Sequence, residues 1–122
     1  MNLNNIHNIY FIGIGGIGMS AIARYFSANG KQVGGYDKTK TDITDSLVAL
    51  GISATYGEGT SNLDSHYLNP ETTLIVYTPA VPKNHVQLNY FLDNTFKVLK
   101  RSEVLGLITE HSFCLAVAGT HG

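Results

Sequence analysis

The sequence predicts an α/β fold, an open parallel sheet of about five strands with helices on both faces. Three features lead there. Short apolar runs alternate with segments of helical period along the chain, a glycine-rich stretch separates the first run from the first helix, and an aspartate closes the second run. That alternation favours parallel strands joined by right-handed crossovers, a Rossmann-like arrangement.

Ile9-Tyr10-Phe11-Ile12 is a continuous apolar run ending at glycine, which suits a strand buried on both faces and so the central one. From Gly16 to Asn29, Ile17, Ala21, Ile22, Tyr25, Phe26 and Ala28 recur at helical spacing, and Gly30 follows where a left-handed cap is expected. Gln32 to Tyr36 makes a second strand ending at Asp37. Thr44 to Leu50 makes a short helix, capped by Asp42 and stopped by Gly51. Ile52 to Tyr56 is a weaker third strand, and Gly57 to Asn62 is loop by composition. Thr73 to Tyr77 is rich in β-formers and gives the fourth strand, followed by a loop bounded by Pro79 and Pro82. Val86 to Asn94 forms a helix and Phe96 to Leu99 a fifth strand. Ser102 to Glu110 forms a further helix, with Val104, Leu105 and Ile108 on one face. Phe113 to Ala118 is a last apolar strand, which leads into Gly119-Thr120-His121-Gly122.

The 122 residues suit one domain, and 43% hydrophobic residues are enough to fill its core. Because chains seldom stop on such a loop, a domain boundary is expected near Glu110 to Ser112. Residues 1–110 would then be one domain, and 111–122 the truncated opening strand of the next. Eight basic and nine acidic side chains leave a net charge of −1, which gives no electrostatic reason to expect nucleic acid or an anionic membrane as partner. The single cysteine, Cys114, lies in the last apolar run, where it reads as a small buried hydrophobe suited to a reducing cytoplasm. No apolar run approaches the roughly 18 residues of a membrane span, and the amino terminus carries no export pattern. The expectation is a soluble cytoplasmic protein. His7, His66, His85 and His111 lack helical pairing or a cysteine partner, so they read as surface groups, and no metal site is expected.

Gly13-Ile14-Gly15-Gly16-Ile17-Gly18 matches G-x-G-x-x-G in the strand-to-helix context that the motif requires. Gly13 permits the tight turn, Gly15 lets the backbone approach a diphosphate, and Gly18 lets the helix pack closely on the strand. Free amides and the helix dipole attract phosphate at such a helix start. Asp37 stands where these folds place a carboxylate near a ribose hydroxyl. Loop and aspartate alone would also suit an NAD-binding oxidoreductase or regulatory domain.

Longer strings narrow the reading. Gly13-Ile14-Gly15-Gly16-Ile17-Gly18-Met19-Ser20 resembles the G-x-G-G-x-G-M-S signature of UDP-N-acetylmuramate:L-alanine ligases, which add the first amino acid in peptidoglycan synthesis. Tyr77-Thr78-Pro79-Ala80-Val81-Pro82 resembles that family's loop after the fourth strand, and Arg101-Ser102-Glu103-Val104-Leu105 its Arg-x-Glu-x-Leu segment. Ala118-Gly119-Thr120-His121-Gly122 is similar to the start of its Gly-Thr-His-Gly-Lys-Thr ATP loop, although the generic P-loop would need its first glycine at Val117.

The resemblance implies three domains, of which this chain would be the first, holding the UDP-sugar, plus the opening strand of the central ATPase. It implies that Gly13, Gly15, Gly16, Ile17, Gly18 and Met19 lie against the diphosphate. Asp37 would lie near the uridine, and Thr78, Pro79 and Ala80 would line its pocket. Gly119, Thr120, His121 and Gly122 would begin the ATP site, with ATP and magnesium acting only in the longer enzyme, beside L-alanine as second substrate. Many relatives carry a histidine four residues before an asparagine; here Glu58 precedes Asn62 at that spacing and reads as a solvated loop residue. The fragment is expected to bind but not to catalyse. A related ligase that attaches recycled tripeptide to the same sugar nucleotide is the nearest alternative.

Overall fold

The computed structural model describes residues 3–109. Five parallel strands, β1 (Asn8–Ile12), β2 (Gln32–Tyr36), β3 (Ser53–Thr55), β4 (Thr73–Tyr77) and β5 (Lys97–Lys100), form one sheet in the order β3-β2-β1-β4-β5. Helices α1 (Ile17–Ala28), α2 (Asp42–Ala49) and α3 (Val86–Asp93) connect them, and residues 101–109 form α4 after β5. The apolar run at β1 is indeed the central strand, with no exposed face to tolerate polar residues.

Register decides which side chains meet. Ile9 lies beside Val33 and Leu74, and Phe11 beside Gly35 and Val76, so these residues share one face of the sheet. There they pack with Ile22 and Phe26 of α1, Leu47 of α2 and Val104 of α4. Tyr10, Ile12, Tyr36 and Ile75 point the other way and meet Tyr67, Leu88, Phe91 and Phe96. Helices therefore cover both faces, and burying each such large side chain contributes about 1.5–3 kcal/mol.

Several details depart from expectation. In α1 the buried positions are Met19, Ser20, Ile22, Ala23 and Phe26, whereas Ile17 is 82% exposed. Ile17 opens the first turn of α1, and Ala21 and Ala28, also expected on the buried face, are exposed too. Ser20 is tolerated inside because its hydroxyl donates to Ile17 O at 3.0 Å. The cap of α2 is Thr41 rather than Asp42. Thr41 Oγ1 accepts from Thr44 N–H at 3.3 Å while Thr44 Oγ1 accepts from Thr41 N–H at 2.9 Å, a reciprocal box that leaves Asp42 in the first turn near the positive helix end. In α4, Val104 is buried and Ile108 packs partly on the core, but Leu105 is exposed. A short 3₁₀ turn at Thr60–Asn62 interrupts the segment expected to be plain loop, and a second follows it at Ser65–Tyr67. The expected strand Phe113 to Ala118, with Cys114, lies outside the described residues.

Candidate functional site

Because Ile12 pairs with both Tyr36 and Tyr77, the carboxyl ends of β1, β2 and β4 are level, and the loops that follow them converge. Open parallel sheets bind ligands at such an edge. A cleft of about 410 Å³ opens there, lined by Gly13, Gly16, Met19, Asp37, Thr78 and Ala80 among the expected residues.

Gly13 adopts φ +97°, a conformation that a side chain would strain. Its N–H donates to Tyr36 O at 2.7 Å and that of Ile14 to the same oxygen at 2.9 Å, so the loop is fastened to the end of β2. Gly15 N–H donates to Asp37 Oδ2 at 2.7 Å, and Asp37 Oδ1 accepts from Thr39 N–H at 3.0 Å. The carboxylate expected beside the ribose thus also grips the glycine loop, at the amide expected to face phosphate. A Cβ on Gly15 would fall 2.7 Å from Asp37 Oδ2 and 3.0 Å from Thr44 Cγ2.

Beyond Gly16 the helix begins without a capping side chain, so the first-turn amides of Ile17, Gly18 and Met19 are the ones a helix leaves unpaired. The three atoms nearest to a Cβ placed on Gly18 belong to Arg101, a neighbour that the generic motif does not name. A Cβ there would lie 3.0 Å from Arg101 Nη1, so the missing side chain makes room for a guanidinium. Backbone amides, the helix dipole and a cation therefore meet at one place, a combination that holds anions.

Not every expected residue joins the cleft. Pro79 lines a neighbouring cavity of about 490 Å³ with Tyr77, Lys83 and Lys100, because the turn after Thr78 directs it away. Gly119, Thr120, His121 and Gly122 lie outside the described residues.

Conversely, Tyr36, Lys38 and His85 line the cleft unannounced by any motif, together with Glu58, which stands where many relatives carry a histidine. His85 is 2% exposed, not a surface group, and its Nδ1 accepts from Leu88 N–H at 3.3 Å as the cap of α3. Burial lowers its pKa from the ordinary histidine value, against a smaller opposing pull from the Glu58 carboxylate. Glu58 is exposed, as expected of a solvated loop residue, and also accepts from Val86 N–H at 3.3 Å. Buried Gln87 fixes the loop around it. Its Nε2 donates to Gly57 O at 3.1 Å and Gly59 O at 2.9 Å, while its Oε1 accepts from the Tyr10 hydroxyl at 2.7 Å. Burial pushes the Tyr10 hydroxyl up to about 12, so it stays a donor. The one available signal for His85 was its place immediately before a helical run, but histidine is not a usual cap.

The family profile described as "Mur ligase family, catalytic domain" matches residues 8–113. The chain is 57% identical to the UDP-N-acetylmuramate--L-alanine ligase of Flavobacterium psychrophilum over 122 residues, covering 100% of this chain and 27% of that protein. It therefore spans about a quarter of the length of the curated relatives it matches. Among solved structures, the UDP-N-acetylmuramate-alanine ligase of Thermotoga maritima superposes with a TM-score of 0.76 at 28% identity, covering 85% of this chain and 23% of that one. The UDP-N-acetylmuramate:L-alanyl-gamma-D-glutamyl-meso-diaminopimelate ligase from Neisseria meningitides gives a TM-score of 0.66 at 24% identity, over 79% of this chain and 29% of that one, a likeness of fold.

Proposed function

Since the chain belongs to the Mur ligase family, as the profile match over residues 8–113 shows, we propose that it is the UDP-N-acetylmuramate-binding domain of an ATP-dependent ligase that adds L-alanine to that sugar nucleotide. The observation that carries the reading is the uncapped start of α1 with the Arg101 guanidinium beside Gly18, at the edge of a cleft that also holds Asp37. A diphosphate would take the amides from Gly15 to Met19, with Arg101 balancing its charge. Asp37 would turn from Gly15 N–H to the ribose hydroxyls, releasing that amide to phosphate. Thr78 and Ala80 would border the uridine, and Pro79 would stiffen their turn.

Binding energy on the uridine diphosphate would hold the distant lactyl carboxylate of the sugar in register for reaction. In the longer enzyme ATP would phosphorylate that carboxylate, and the amine of L-alanine would displace phosphate to form the amide. ATP and magnesium enter this proposal through the resemblance of Gly119-Thr120-His121-Gly122 to an ATP loop, and residues 111–122 would open the domain that carries it. Described residues include no helix long and apolar enough to cross a membrane, which accords with a cytoplasmic enzyme acting on soluble substrates.

The 57% identity to an L-alanine ligase favours alanine over recycled tripeptide as the group added. Calorimetric titration with UDP-N-acetylmuramate, UDP and NAD tests the ligand class. Uridine ligands are expected to bind and NAD not; tighter binding of NAD overturns the assignment.

A further inference from the structure

His85 carries an unused donor. Since Nδ1 accepts from Leu88 N–H, the ring proton of the neutral imidazole sits on Nε2. Nε2 is buried without a hydrogen-bond partner, although His85 lines the cleft. A buried donor left unpaired costs stability, so a native structure that retains one invites a ligand acceptor. The nearest opposite group is Glu58 Oε1 at 4.0 Å, beyond hydrogen-bond reach.

Both groups are held in place. His85 is fixed as the cap of α3 and by edge contact with the Tyr36 ring at 4.6 Å between centroids. Glu58 is fixed by Val86 N–H and by Gln87, which ties down the carbonyls on either side of it. The cleft wall therefore presents one donor and one acceptor, side by side and not bonded to each other. Its complement is a planar edge with an acceptor beside a donor, as in a carbonyl next to an imide N–H.

Resting on the reading of the cleft as a uridine-nucleotide site, we propose that His85 Nε2–H and the Glu58 carboxylate recognise the carbonyl and N3–H edge of uracil, and so select the base. Cytosine held by the same ribose offers the reverse order along its C4 edge and two acceptors along its C2 edge. Along the C4 edge both protein groups meet their like, and along the C2 edge the Glu58 carboxylate does. Sites built around such polar pairs reject a mismatched analogue, most strongly where the mismatch leaves a buried group such as His85 Nε2–H unpaired.

The test is calorimetric titration of the protein with UDP, CDP and N3-methyl-UDP. UDP should bind at least about tenfold tighter than either analogue. His85→Asn retains an oxygen able to cap α3 but withdraws the donor from the cleft. It should weaken UDP about tenfold and bring UDP and CDP to within about threefold of each other. Glu58→Ala, at a more exposed position, should erase the penalty on N3-methyl-UDP, and circular dichroism checks both folds. Equal binding of UDP and CDP by the unaltered protein, or an unchanged preference in both variants, overturns the pairing while leaving the uridine reading intact. Failure of the unaltered protein to bind any uridine nucleotide overturns both.

Discussion

Asp37 Oδ2 accepts a hydrogen bond from Gly15 N–H at 2.7 Å, which places a carboxylate against the loop proposed to hold a diphosphate. A diphosphate placed on that amide would compete with the carboxylate, which would then have to exchange partners. Asp37→Ala should therefore act in opposite directions on two ligands. Inorganic pyrophosphate should bind severalfold tighter, since a competitor has gone, whereas UDP should bind about tenfold weaker for want of the ribose contact. Calorimetry with both ligands checks this; equal changes for the two would mean that the carboxylate does not exchange.

Gly15 tolerates no side chain for the same reason. A Cβ would stand 2.7 Å from Asp37 Oδ2 and 3.0 Å from Thr44 Cγ2, so the loop must shift away from both. Gly15→Val should abolish measurable UDP-N-acetylmuramate binding while far-UV circular dichroism still reports the α/β fold, because the β1 and α1 core residues lie elsewhere. Retained affinity would show that the diphosphate sits in another place.

Substitution of Arg101 should separate phosphate recognition from base recognition. Its guanidinium reaches α1 only because Gly18 leaves space, with Nη1 at 3.0 Å from where a Cβ would be. Arg101→Ala should cost about 1.5–3 kcal/mol of UDP affinity, the range for hydrogen bonds to charged groups, and leave uridine affinity unchanged. Parallel titrations with uridine, UMP and UDP measure this, and equal loss for uridine would assign Arg101 a structural role.

Local signals carried most of the fold. The buried strands and the turn at Gly13 were legible because apolar runs, glycine and helical period are properties of neighbouring residues. The α1 face differs from expectation at Ile17, Ala21 and Ala28, because apolar spacing alone does not fix which face the sheet covers. The cap of α2 was misplaced because Thr44, not a glutamate, completes the box. In the cleft, Gly13, Gly16, Met19, Asp37, Thr78 and Ala80 are legible through motifs, as is Arg101 beside Gly18, whereas Glu58 and His85 meet only through tertiary packing. The hydrogen bond from Val86 N–H to Glu58 spans 28 positions and leaves no periodic trace.

Gln87 should prove a positioning residue whose loss is felt at a distance. Its amide satisfies the Tyr10 hydroxyl and the Gly57 and Gly59 carbonyls, two of which flank Glu58. Gln87→Leu fills similar space but leaves these groups without partners. A loss of about 2–4 kcal/mol is expected, allowing water to reach the loop carbonyls. Urea unfolding measures it; a loss within error of zero would mean that the loop is held by other contacts.

His85 should make the fold sensitive to mild acid. Burial lowers its pKa in the folded protein below the ordinary 6.5, so the unfolded chain takes up a proton first as pH falls. Stability is thus lost below about pH 6.5 and levels off once the folded form is also protonated. Among groups at the cleft, Glu58 opposes the shift, Lys38 adds a positive charge, and Asp37 is engaged with Gly15. Thermal midpoints measured from pH 7.5 down to 5.5 should fall more steeply for the unaltered protein than for His85→Asn, which keeps the cap but has no titrating ring. Parallel curves for the two proteins would show that the imidazole gains its proton as easily in the fold as outside it.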